Sequence, residues 1–197
     1  MDIATFAAQL LTALGVFAAV VTLVTTHERG RREFAAKLVW DWTLNARRNS
    51  RAATLIVDAL NKQQCEAIFG LQPLRIDATH EPLIEVVFAD RPEIPAPTKE
   101  GRELVLDTKH SAVLRAVVTH YLNLLESVFL CRQHRVADHK IIEQEFNFMI
   151  YPEPGKIFLD EYIRAAGGKK NYPAICGYTK FLLDRDAPDT RQRPAAG

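Results

Sequence analysis

The spacing of apolar residues changes several times along the chain, and each change marks a boundary. The first stretch, Ile3 to Thr26, has no polar face: IATFAAQLLTALGVFAAVVTLVTT contains no Asp, Glu, Lys, Arg or His. As a helix it would extend about 36 Å at ~1.5 Å per residue, and a bilayer core needs only ~20 such residues. The run therefore predicts one membrane-spanning helix. It fits a cleavable signal peptide poorly, because Met1-Asp2 offers no basic leader and the apolar run is too long. A buried core helix is the competing reading, since many of these residues are Ala, Thr or Gly.

Helical spacing then runs from Arg31 to Ala46, with Phe34, Leu38 and Trp42 on one face and Ala35 and Val39 beside it. Core packing is expected for Trp40 and Trp42. Ser50 is placed to cap a second helix from Arg51 to about Phe69, with Gly70 ending it. Between Leu71 and Gly101, Pro73, Pro82, Pro92, Pro95 and Pro97 exclude long regular elements. Within it, Pro82 to Asp90 reads as a short helix or a strand, and the absence of an evident partner strand favours the helix. A long helix follows from about Lys99 to Gln133. Its centre, Ala112 to Cys131, is apolar around most of its circumference, as in the central helix of a bundle. Asp138 caps a helix reaching Met149, and short helices follow around Ile157 to Ile163 and from Tyr172 to Leu183. The expected fold is all-α: a transmembrane anchor over residues 1–27, a small helical bundle over 28–184, and a disordered tail over 185–197.

Charge gives the anchor a direction. Only Asp2 precedes it, whereas Arg29, Arg31, Arg32 and Lys37 follow. Basic flanks stay on the cytoplasmic side, so the expectation is an inner-membrane protein with its N-terminus outside and its domain in the cytoplasm. The Arg cluster is also suited to anionic headgroups. Small residues recur along one seam of the anchor, including Thr5, Ala8, Thr12, Gly15, Ala19 and Thr22. Such a seam lets helices approach closely, which makes Gly15 and Ala19 candidates for helix association in a homo-oligomer.

Over the whole chain, 25 Lys and Arg balance 24 Asp and Glu. The local basic excess near the anchor is accounted for by topology and lipid contact, which argues against a nucleic-acid partner. Cys65, Cys131 and Cys176 form no Cys-x-x-Cys pair, so small buried apolar roles are expected rather than nucleophiles or ligands.

The run Tyr121-Leu122-Asn123-Leu124-Leu125-Glu126, then Asp138, an amphipathic helix and a Tyr/Leu-rich helix, resembles the bacterial domain-of-unknown-function family numbered 4760. The resemblance covers roughly Val113 to Leu183 together with the anchor. It implies an N-terminal membrane helix carrying a small helical cytoplasmic domain, and it transfers no catalytic residue. Where relatives carry a Gly-containing turn before the Asp, this chain has Arg135-Val136-Ala137.

Two Arg/His spacings, Arg115 with His120 and Arg132 with His139, resemble the motif of HEPN-type ribonucleases. There a histidine moves protons at a 2′-hydroxyl and an arginine holds the phosphate. The alternative for Arg115 and His120 is a polar stripe on a helix. His139 and Glu143 lie one turn apart but lack a His-Glu-x-x-His or Cys partner, so neither metal nor cofactor is expected. Gly167 to Lys170 lacks phosphate-loop spacing and reads as a helix end followed by a basic turn. The sequence thus favours a non-enzymatic binding or self-assembling module with an unidentified protein partner. The alternatives are a membrane-perturbing effector, as in phage defence, and a membrane-tethered ribonuclease.

Overall fold

One helix, α1 (Ile3–Asn45), carries the uncharged run and continues past the Arg cluster without a break. Its 43 residues extend about 65 Å at ~1.5 Å each. The computed structural model describes residues 3–45, 48–153 and 156–186, with side chains in α1 from Val20 to Leu44. The side chains of Gly15 and Ala19, and residues 187–197 of the expected tail, lie outside the described residues. Arg185 and Asp186, placed in that tail by sequence, still belong to the last helix.

From Val20 to Gly30 every residue of α1 is exposed, and burial begins at Arg31. Ala35 and Trp42 are buried and Leu38 and Val39 partly so, giving a stripe of helical period turned to the domain. Phe34 and Trp40 lie off that stripe. Trp40 is 64% exposed, so its expected core role falls to Trp42 alone.

The domain is mostly helical, comprising α2 (Arg48–Asp58), α3 (Lys62–Phe69), α4 (Glu81–Phe88), α5 (Thr108–Gln133), α6 (His139–Ile150), α7 (Asp160–Ala165) and α8 (Pro173–Asp186). The single helix expected from Arg51 to Phe69 is two. Asn61 starts α3 with a reciprocal cap: its side chain accepts from the Gln64 N–H, and the Gln64 side chain accepts from the Asn61 N–H, both at 3.0 Å. Ser50 is not a cap; it sits buried inside α2. Gly70 is the residue after α3, yet the left-handed conformation that closes the turn falls on Leu71, with φ 58°.

The mostly helical structure agrees with the all-α expectation, and three short strands accompany the helices. β1 (Leu74–Asp77), β2 (Thr98–Glu100) and β3 (Glu103–Leu106) form an antiparallel sheet in the order β1-β3-β2. Leu74 pairs with Leu106 and Asp77 with Glu103. Leu74, Ile76, Leu104 and Leu106 are buried, so one face of the sheet covers the core. Gly101, at φ 64°, turns the hairpin between β2 and β3. That hairpin occupies the stretch expected to begin the long helix, which starts instead after the cap Asp107. Pro82 does sit in the first turn of α4, as the helical reading required.

α5 is the core helix. By length and composition it is the one helix among the described residues able to cross a bilayer, not the N-terminal run, but half of its apolar window is buried inside the domain, against α2, α3 and α8. Its one buried carboxylate, Glu126, accepts from the Ala174 and Ile175 N–H groups at 2.7 and 2.9 Å and so caps α8. At the other end, His110 is buried and its Nε2 lies 2.8 Å from the Pro95 carbonyl, tying the Pro-rich loop to α5.

Candidate functional site

The first turn of the domain beyond the exposed part of α1 meets the connection between α5 and α6. α5 closes with two backbone bonds: the Arg135 N–H donates to the Arg132 carbonyl at 3.0 Å and the Val136 N–H to the Cys131 carbonyl at 2.9 Å. This geometry requires a left-handed residue, usually Gly, and here Arg135 adopts it with φ 56°. Asp138 then caps α6 as its position predicts, accepting from the Lys140 and Ile141 N–H groups at 2.9 and 3.4 Å. The turn docks on α1. The Asp138 N–H donates to the Arg31 carbonyl at 3.2 Å, the Arg31 guanidinium donates to the Ala137 carbonyl at 3.4 Å, and Arg32 pairs with Asp138 at 3.4 Å.

Two adjoining clefts open on this junction. One is bordered by Glu28, Arg31, Arg32, Asp138, His139 and Lys140. The other, about 590 Å³, is bordered by Arg31, Arg132, Gln133, Arg135 and His139. Cations dominate the second, whereas the first mixes Arg31, Arg32 and Lys140 with the carboxylates of Glu28 and Asp138. Arg132 is oriented by two bonds to Glu143 Oε1, at 3.0 and 2.6 Å, and its guanidinium lies 4.5 Å above the Tyr178 ring and 4.7 Å from that of Phe181. Asp138 is spent on the α6 cap and Arg32. Arg135 and Lys140 have no ion pair among the described residues. The Nε of Arg31 is shielded from solvent without a hydrogen-bond partner there.

Burial pushes the Asp138 carboxyl up, but the Lys140 and Ile141 N–H groups and Arg32 outweigh it and hold the group below its ordinary value. A carboxyl held low in the folded state stabilises the fold above its unfolded value of about 3.9, and that contribution is lost as pH falls through the folded value. The docked turn is therefore expected to loosen below about pH 4, seen as faster amide exchange over residues 136–142. Asp138→Asn, which retains a cap but does not titrate, should abolish the pH dependence at this turn. An identical acid response in both proteins would refute the assignment.

The sequence candidates are distributed unequally about this junction. Arg132 and His139 border the same cleft. Arg115 and His120 are five residues apart on α5, about 140° around the helix. Arg115 donates to the Phe69 carbonyl at 2.7 Å and covers the Phe69 ring, whereas His120 is exposed. Glu143, the metal candidate beside His139, is taken by Arg132, and the described residues include no group of three His, Cys, Asp or Glu able to hold a metal. Burial pushes the Cys65 thiol up to about 12, with Glu161, Asp58 and Glu66 adding to it. Cys131 and Cys176 are also raised, first by burial, so no described cysteine is an activated thiolate. Gly167 to Lys170 forms a 3₁₀ turn after α7. Of the three arginines expected to flank a membrane span, Arg31 and Arg32 lie at the junction, while Arg29 pairs with Glu33 one turn along α1.

Sequence reasoning missed Arg135 and Lys140 as members of a site. The cap at Asp138 was a readable signal that a turn exposes its neighbours, but Arg31 and Ala137 are 106 residues apart and nothing local links them. No family model matches the chain, and neither does any curated protein or solved structure.

Proposed function

We propose that the chain is a single-span inner-membrane protein whose cytoplasmic helical domain is held rigidly at the bilayer and serves as a binding or self-assembling module. The observation that carries this reading is the continuity of α1. The helix bearing the uncharged run enters the domain without a hinge and is packed there through Ala35 and Trp42. Exposure of every residue from Val20 to Gly30 accords with a segment whose environment is lipid and headgroup rather than protein. The architecture is also the one found in the family numbered 4760, which we put forward as the chain's relatives. Exposed Leu55 and Phe148 border a groove with Met149, Pro152 and Phe158, an apolar surface of the kind that takes a partner.

Alkaline carbonate washing of membranes holding the intact chain should leave it in the pellet, and protease added to spheroplasts should spare the domain. Release into the supernatant would reject the anchor, and cleavage in spheroplasts would reject the orientation. The ribonuclease reading retains one observation, the shared cleft of Arg132 and His139. RNA cleavage by the purified chain, lost in His139→Ala, would replace the binding module with that enzyme. Loss of membrane potential on expression of the intact chain would favour the effector.

A further inference from the structure

We infer that α1 pairs in parallel with α1 of a second copy, along the face it turns away from the domain. This inference rests on the proposed anchor, which sets two copies side by side and pointing the same way. The face is a strip of Thr26, Gly30, Glu33, Lys37, Trp40 and Leu44, spaced alternately by four and three residues and exposed throughout. Lys37, Trp40 and Leu44 each stand two residues from Ala35 or Trp42, about 200° around the helix, so the strip lies opposite the buried stripe. Thr26 is one turn beyond Thr22, and the strip therefore continues the small-residue seam of the uncharged run.

Gly30 supplies the independent indication. Glycine destabilises a helix interior relative to Ala, and Gly30 lies well inside the 43 residues of α1. A Cβ there would meet nothing within 4 Å. No contact among the described residues requires a glycine at this position, whereas close approach of a second helix does. Trp40 and Leu44 are 64% and 63% exposed. Trp40 stands about 21 Å along the axis beyond Thr26, past the headgroup layer, so the bilayer does not cover either side chain. A second copy does, because the strip meets itself at the same height across a two-fold axis. Glu33 and Lys37 carry opposite charges one turn apart, which brings each Glu33 within reach of Lys37 of the partner subunit.

Area selects pairing along the whole helix. From Thr26 to Leu44 the strip is about 27 Å long and, at ~10 Å wide, gives roughly 270 Å² per copy, too little for a stable dimer. All of α1, about 65 Å, gives roughly 650 Å² per copy and about 1,300 Å² in total, within the range of stable interfaces.

The test weighs the full chain in dodecylmaltoside micelles by light scattering, with the detergent contribution subtracted. The parent should have the mass of two chains. Gly30→Leu should raise the dissociation constant at least about tenfold. Leu is the stronger helix former and its site is open in the described chain, so lost pairing cannot be assigned to misfolding. Trp40→Glu should weaken pairing as much, while Phe148→Glu, at a similarly exposed apolar residue of α6, should leave the dimer intact. In membranes, Lys37→Cys should form an inter-chain disulfide above the level of the parent. Glu28→Cys, about 180° around α1 from Lys37, should not. A monomeric parent, or a dimer unchanged by both Gly30→Leu and Trp40→Glu, would overturn the inference, and so would dissociation by Phe148→Glu alone. If carbonate releases the chain but Lys37→Cys still cross-links, the anchor fails and the pair stands. Retention in the pellet as a monomer would reject the pair and leave the anchor standing.

Discussion

Glu126→Ala is expected to destabilise the domain by about 3 kcal/mol, lowering the melting temperature by roughly 6–12 °C. Glu126 is only 8% exposed, and each of its oxygens accepts a backbone N–H from the first turn of α8. Hydrogen bonds to a charged acceptor contribute about 1.5–3 kcal/mol each, and a stranded buried N–H adds its own desolvation cost. The gross loss is partly offset because α8 can fray and let water reach Ala174 and Ile175. Glu126→Gln keeps one acceptor oxygen and should lose roughly half as much. Thermal unfolding of the full chain in detergent distinguishes these outcomes. A melting temperature within about 1 °C of the parent for Glu126→Ala would show that water or another group satisfies α8. The same contact orders the cleft wall, because Phe129 and Tyr178 stack at 4.3 Å and Arg132 lies over the Tyr178 ring. Loss of the α8 cap should therefore also disturb the cation at the junction.

Glu126 also illustrates what a helix pattern conceals. Beside Asn123 and Ser127 it looks like part of a solvated stripe on an otherwise apolar helix. Asn123 and Ser127 are indeed exposed, but Glu126 faces the end of α8, which is 48 residues away in sequence. Local signals were legible. Asp138 names the start of α6, Pro82 the first turn of α4, and the apolar girth of α5 its central place. The sheet was not, because its strands are three or four residues long and each has only two inward side chains or fewer. A helical pattern is equally consistent with Leu104 and Leu106 until Leu74 and Ile76 are known to lie beside them. The two tryptophans make the same point. Both fit a helix of apolar residues, and only the position of α6 selects Trp42 for burial and leaves Trp40 outside. The cleft required still more distant information, since its walls come from the beginning of the chain and from the turn after α5.

Trp42→Ala should be the most damaging change in α1, costing about 4 kcal/mol. The indole is 7% exposed and meets Tyr121 of α5 and Phe146 of α6 edge-on, with centroids 5.1 and 5.3 Å away. Edge-on aromatic pairs contribute about 0.5–1.5 kcal/mol beyond the area they bury, so both losses add to the cavity. Trp42→Phe retains an aromatic edge and should cost under about 2 kcal/mol. The effect should be uneven in space. Trp42 and Ala35 are the buried residues among those described in α1, whereas α2 packs on α4 and α5, and α3 on α7 and α5. Amide exchange in Trp42→Ala should therefore rise most along α6 and at residues 31–44, with α3 and the sheet much less affected. A uniform rise would mean that α1 is part of one cooperative unit with the whole domain. Localised release would mean that the indole is the coupling between α1 and an otherwise self-sufficient body. In that case the orientation of α1 relative to the helices it packs against depends chiefly on a single side chain, whose ring contacts reach α5 and α6 alike.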